Sequence, residues 1–155
     1  MYPDDYYNKD DERAVYFFSS PFDTLNNWGA NALEIWGILF LTAEHAYQYK
    51  KFETSDPKVA KEIINAKSPW SVYQIARAHT DKVRSDWNDI KLAVMEEVLR
   101  AKLAQNPDVE QQLQKTAERH IIENSPWDEF WGIGPRGRGQ NNLGKLWEKL
   151  RDEKE

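Results

Sequence analysis

The residues Thr42-Ala-Glu-His-Ala-Tyr-Gln-Tyr-Lys-Lys-Phe52 gather more chemistry than any other short stretch of the chain. Thr42 is placed to cap a helix by accepting from backbone N–H groups that lack partners at its start. Glu44 then falls in the first turn, where the helix dipole favours a carboxylate. Counting on by three, four and seven reaches Tyr47, Gln48 and Lys51, so one face carries an acid, a phenol, an amide and an ammonium. His45, Tyr49 and Phe52 share a neighbouring face, expected to be buried. A polar face beside an apolar one suits a pocket wall better than a plain solvated surface. The plainer alternative is that Glu44 is only a first-turn acid.

Two further stretches hold reactive or ligand-holding residue types. Trp127-Asp-Glu-Phe-Trp131 places Asp128 between aromatic rings. There it can take part in catalysis, or simply close a turn by accepting from nearby amides. Gly132-Ile-Gly-Pro-Arg-Gly137 has the spelling of a dinucleotide fingerprint. That reading is rejected: the fingerprint needs a helix straight after its turn and a second parallel strand beyond, whereas only one helix follows here, and Pro135 removes a donor. What survives is a glycine-rich loop with Arg136 and Arg138, leading into a helix start at Asn141-Asn142. Such a loop can hold a phosphate, or be a plain surface loop. His45, His79 and His120 lack a second ligand at helical spacing and are read as structural, so no metal site is expected. There is no nucleophile-elbow motif and no cysteine.

These residues need a scaffold, and the composition sets its kind. The chain has 155 residues, 40% hydrophobic and 30% charged, with a net charge of −5. That fits one globular domain burying roughly 70% of its unfolded surface. The acidic balance argues against broad binding to nucleic-acid backbones. No apolar run approaches the ~20 residues of a bilayer span, and no signal peptide is expected, so a cytoplasmic location is the default. Cysteine is absent, which rules out disulfides and thiolate metal sites. Seven tryptophans exceed what a core of this size needs, so some are expected to offer flat faces to a ring-shaped ligand.

Residues 1–13 read as a mobile acidic arm, with Tyr6 and Tyr7 touching the body. Ala14–Phe18 reads as a strand, and Leu33–Leu41 as a strand or a hairpin bent at Gly37. After the Thr42 helix, Asp56-Pro57 and Ser68-Pro69 each pair an N-cap with a proline at the first helical position. These predict helices to about Asn65 and Ala78. Asp86–Ala104 is the longest helix, with a stripe of Leu92, Met95, Leu99 and Leu103 widened by Trp87, Ile90, Val94 and Val98. Asp108–Lys115 is a short helix, Ile121-Ile122 a brief strand, and Leu143–Arg151 a last helix. The expected fold is mainly α: one compact domain over 14–155, with five or six helices and a small two- or three-stranded sheet.

In order along the chain, these segments resemble the YbiA-like, or NADAR, family of N-glycosidases. Asn26-Asn27-Trp28 stands where the family has a Ser-Asn-Phe-like segment. Thr42–Phe52 matches its Thr-x-Glu-His-aromatic-aromatic-Gln-x-x-Lys-Phe segment. Ser68-Pro69 through Arg77, then Arg84-x-x-Trp87, Met95, Ala101-Lys102, Thr116 and Glu123 follow. Asp128-x-x-Trp131-Gly132-x-Gly134, Gly139-x-Asn141-x-Leu143-Gly144 and Leu150-Arg151 complete the match. The chain departs from the pattern at Ile38–Leu41, at Asn26 and Trp28, and at Trp147.

The resemblance implies hydrolysis of a ribosyl C–N bond in phosphorylated ribosylamino-pyrimidine intermediates of the riboflavin pathway. Related domains act on NAD-derived or ADP-ribosylated nucleobase substrates, so nucleic acid would be a partner only as the carrier of such a base. No cofactor or membrane is implied, and no oligomeric state follows. Carried over by position, the candidates are Glu44 and Asp128 for catalysis. Asn27, Tyr47, Gln48, Lys51, Arg77, Trp87, Trp131, Gly132, Gly134 and Asn141 are the candidates for holding substrate. A module that binds ADP-ribose without cleaving it, or a purely structural protein, would be the rival readings.

Overall fold

The computed structural model describes residues 9–18 and 22–154. Residues 1–8 of the acidic arm, Tyr6 and Tyr7 included, lie outside the described residues. Among those described, six α-helices and two two-stranded sheets form two compact units. Asn27–Asn106 is one unit; the residues before it and from Pro107 onward are the other.

The Asn27–Asn106 unit begins with a hairpin of β2 (Leu33–Ile35) and β3 (Ile38–Phe40), following a first strand β1 (Ala14–Phe17) in the other unit. Leu33 pairs with Phe40 and Ile35 with Ile38, leaving Trp36 and Gly37 to turn the chain. Both have positive φ, 55° and 76°, the conformation that a tight hairpin turn demands. Trp36 is held there by Nε1–H donating to Glu97 at 3.1 Å and by Lys50 Nζ, 4.2 Å above its ring.

Helix α1 (Ala43–Phe52) starts at an extended Thr42 whose Oγ1 accepts from His45 N. Helix α2 (Pro57–Asn65) starts at Asp56, which accepts from Val59 N, and α3 (Pro69–Ala78) at Ser68, which accepts from Ser71 N. Both carry proline in their first turn, as the sequence predicts. Helix α1 packs on α2, α3 and α4 (Trp87–Gln105). Phe52, Val59, Ala60, Ile63, Ala66, Val72 and Ala76 form a core cluster.

Helix α4 buries Val94, Met95, Val98, Leu99 and Leu103, but Leu92 is 46% exposed, which corrects the expected stripe. At about 100° per residue, Leu92 falls in angle between buried Leu99 and Leu103. Its exposure is therefore set by what lies opposite that turn of the helix and not by which face it is on. At the far end of α4, the Gln105 amide pairs with both backbone groups of Glu34, at 2.7 and 2.8 Å, standing in for a neighbouring strand along β2.

In the other unit β1 runs parallel to β4 (His120–Glu123), with Val15 opposite Ile121. A parallel pair needs a long crossover, and here the connection contains the whole Asn27–Asn106 unit. Helix α5 (Pro107–Lys115) packs on the single 3-10 turn Asp23–Leu25, and α6 (Asn142–Glu153) packs on β4. Fully buried Trp147 donates Nε1–H to the Leu25 carbonyl at 2.9 Å. The Asp11 carboxylate accepts from the amides of Arg13 and Ala14, which holds it below its usual pKa.

Candidate active site

Glu44 lies one residue inside α1, because the Thr42 cap fixes where the helix begins. Its side chain is buried, and Oε1 accepts from Gln48 Nε2 at 2.7 Å. The two residues are four apart, so the bond forms along the helix face without help from the fold. The Glu44 backbone N–H, one of the unsatisfied donors of a helix start, donates to the Asn27 carbonyl at 3.1 Å. Asn27 is thus brought to Glu44 by the loop before β2.

Two buried acceptors on the residues that bond Glu44 are left over. Gln48 spends its amide nitrogen on Glu44, and Asn27 turns its own toward Met95 Sδ at 3.5 Å. Gln48 Oε1 and Asn27 Oδ1 are then buried with no hydrogen-bond partner among the described residues. A buried carbonyl without a donor costs about 1–3 kcal/mol, so two on residues that bond Glu44 mark a place where hydroxyl donors would be favoured.

Tyr47 and Trp87, on α1 and α4, meet edge to face at 5.0 Å. Both are buried, and Lys51 Nζ lies 5.4 Å from the Tyr47 ring and 5.8 Å from the Trp87 ring. An Arg84–Asp86 ion pair at 2.6 Å stiffens the turn that delivers Trp87. Arg77 stands apart from these contacts: it is exposed on α3 and donates to the Tyr73 hydroxyl at 2.6 Å.

The structure also displays an aromatic group that is not among the candidate site residues. Trp28, next in the chain to Asn27, meets Trp70 and Tyr73 of α3 at 6.3 and 6.2 Å. Trp28 and Trp70 are 40% and 55% exposed. In the sequence Trp28 and Trp70 fall in segments matched to the family pattern, and the tryptophan surplus was the signal that some rings are exposed.

In the other unit, Asp128 Oδ1 accepts from Phe130 N at 2.9 Å and Trp131 N at 2.7 Å, the turn-closing arrangement considered from sequence. Ser125 Oγ in turn accepts from Asp128 N at 3.1 Å. Half-buried Trp131 packs edge-on against Phe130 at 4.8 Å. The space beside Gly132 and Gly134 is filled by the chain itself. A Cβ at Gly132 would lie 2.8 Å from the Glu123 carbonyl oxygen, and one at Gly134 2.5 Å from Glu129 Cγ. These glycines let the loop fold on itself; Gly137 borders open space. Arg136 and Arg138 are exposed. Asn141, at φ 52°, bridges to β4: Oδ1 accepts from Glu123 N, and Nδ2 donates to the Ile121 carbonyl, both at 2.9 Å. It ties the loop to the strand.

The histidines are each held by protein groups. His45 lies between Thr42 Oγ1 and the Ala66 carbonyl, His79 meets the Ile75 carbonyl, and His120 meets Glu148. Two clefts of about 920 and 160 Å³ lie around Arg13 and His120 and between α5 and α6. Neither is lined by a candidate residue. No described helix is long and apolar enough to cross a membrane.

The chain is matched by the NADAR domain model over residues 6–154. It is 32% identical over 143 residues to an N-glycosidase of Nostoc punctiforme, covering 90% of this chain and 92% of that protein. Against N-glycosidase YbiA of Escherichia coli K12 it is 32% identical over 138 residues, covering 89% and 85%. A riboflavin biosynthesis protein of Vibrio vulnificus is 30% identical over 144 residues, 92% of this chain but 39% of that one. The NMR structure of E. coli YbiA is similar in fold, with a TM-score of 0.82 at 30% identity, covering 92% of this chain and 84% of the other.

Proposed function

We propose a function from one premise: the chain belongs to the NADAR domain family. It is an N-glycosidase, a hydrolase of N-glycosyl bonds, and its substrate is a phosphorylated ribosylamino-pyrimidine. The observation that carries the reading is the buried Glu44 carboxylate, held by Gln48, with orphaned acceptors on Gln48 and on Asn27, the residue that receives the Glu44 amide.

In this reaction the C1′–N bond breaks and the water oxygen bonds to C1′. One water proton ends on the departing nitrogen, leaving free amine and ribose 5-phosphate. Positive charge builds on the sugar as the bond stretches. A carboxylate fixed against that charge in a dry site stabilises it more than water does, and can take the proton of the attacking water. Glu44 is assigned both tasks. Gln48 Nε2 orients the carboxylate through its 2.7 Å bond, while Asn27 Oδ1 and Gln48 Oε1 accept from ribose hydroxyls. Tyr47 and Trp87 form the wall that keeps water from Glu44, and Lys51 supplies charge for the phosphate. Asp128, Trp131 and the loop from Gly132 to Asn141 with Arg136 belong to the other unit and are given no task in this scheme.

The test is incubation with a ribose 5-phosphate-bearing aminopyrimidine, with NAD and with ADP-ribosylated guanine, followed by chromatography for free base. Release from the aminopyrimidine is expected. Release only from the ADP-ribosyl compounds would move the substrate to that class, and release from none would overturn the hydrolase reading.

A further inference from the structure

The aromatic group beside Asn27 has no task in the scheme above. Trp70, Tyr73 and Arg77 fall three and four residues apart, so they form one stripe along α3. Trp70 and Tyr73 are stacked, 5.6 Å apart and 19° from parallel. Trp28 leans against both at 54° and 52°, so the three rings make an angled shelf rather than a closed cluster. Trp28 and Trp70 keep 40% and 55% of their surface in water. Two indoles side by side at such exposure are unusual in a protein surface with no ligand to cover them. By contrast Trp87, the aromatic residue that the motif points to, keeps only 7%.

Position decides what the shelf is for. Trp28 follows Asn27 directly, and Asn27 carries both the carbonyl that receives the Glu44 amide and the orphaned Oδ1. With Asn27 held on the Glu44 amide, the shelf begins one residue along the chain from that contact, so a ring carried by a sugar at Glu44 has an aromatic face to meet. A planar heterocycle suits a face of indole, since base-on-aromatic stacking needs only a π surface. Arg77 closes the stripe. Its Nη1 is spent on the Tyr73 hydroxyl at 2.6 Å, and its remaining N–H donors suit the carbonyl edge of a heterocycle.

We propose that Trp28, Trp70 and Tyr73 form the subsite for the heterocycle of the substrate, with Arg77 reading the ring's acceptor edge. The subsite takes an oxygenated pyrimidine carried on a 5-phosphorylated ribose. This rests on the N-glycosidase reading for the identity of the ligand, but its test does not depend on turnover.

The experiment measures equilibrium binding of uridine 5′-monophosphate and of ribose 5-phosphate by calorimetry, in the parent and in Trp70→Ala, Trp28→Ala and Trp28→Phe. The parent should bind the nucleotide more tightly than the bare sugar phosphate. Each alanine variant should weaken nucleotide binding roughly tenfold, as expected for loss of one stacked base. Ribose 5-phosphate affinity should stay within twofold, which also shows that the variant is folded. Trp28→Phe should keep most of the affinity. Equal losses for both ligands, no loss for the nucleotide, or no nucleotide preference in the parent would each overturn the subsite. The two readings then separate cleanly. Hydrolysis of the aminopyrimidine with kcat and KM untouched in Trp70→Ala removes the subsite and leaves the hydrolase. Selective nucleotide loss in a protein that hydrolyses nothing does the reverse.

Discussion

Replacing Glu44 by glutamine removes a charge while keeping shape. The new side chain still offers an oxygen to Gln48 Nε2, now 2.7 Å from the carboxylate, so the local hydrogen bond survives. What is lost is the field at the anomeric carbon. A unit charge about 4 Å from a developing cation, at an effective dielectric of about 20, contributes about 4 kcal/mol. That corresponds to roughly a thousandfold in rate. The folded state loses only the interaction with the helix start, about 0.3–1 kcal/mol. In a domain of this size that lowers the melting temperature by about 1–4 °C. The assay is chromatographic release of free base at saturating aminopyrimidine riboside, alongside a thermal melt. Glu44→Asp serves as a graded control, since drawing the charge back by about 1 Å costs on the order of a hundredfold. A glutamine variant with kcat within tenfold of the parent and an unchanged melt would refute the assignment of Glu44.

Three further outcomes follow from the geometry. Gly144→Ala puts a Cβ about 2.0 Å from the Ile121 carbonyl oxygen and 2.6 Å from the Asn141 amide. It should destabilise by about 3 kcal/mol or more, because overpacking against backbone cannot relax by a rotamer change; an unaltered calorimetric melt would contradict the packing of α6 on β4. Ser68→Ala removes the acceptor for Ser71 N at 3.1 Å and should cost about 1 kcal/mol in urea unfolding. No change in midpoint would mean that the cap does not hold α3. Burial lowers the pKa of His45 below 6.5, with its bond to the Ala66 carbonyl opposing in part. Below about 6.5 the unfolded chain takes up a proton that the folded ring resists, so stability falls as pH drops from there until the lowered folded value is passed. The urea midpoint of the parent should fall relative to that of His45→Gln over this range, and a constant difference would remove His45 as the source.

The starts of α1, α2 and α3 are legible in the sequence because each is set by a side chain reaching a backbone amide three residues away. The Glu44–Gln48 bond is of the same local kind, a single helical step. The hairpin at Trp36-Gly37 was half legible: the glycine marked the bend, while the positive φ of Trp36 depends on Glu97 and Lys50 from other elements. Residue type and spacing thus set where helices begin and which face of α1 is polar, while for Asp128 they left turn closing and catalysis both open. Only tertiary structure decided which aromatic rings are covered. Trp87 is buried by Tyr47, forty residues earlier in the chain, whereas Trp28 and Trp70 remain in water. The same holds for Leu92, left exposed on the apolar face of α4, and for Asn27 Oδ1 and Gln48 Oε1, left without donors. Short-range hydrogen bonds are encoded within one turn of chain. Exposure and unmet polar groups depend on what distant segments fail to supply, and no local pattern records that.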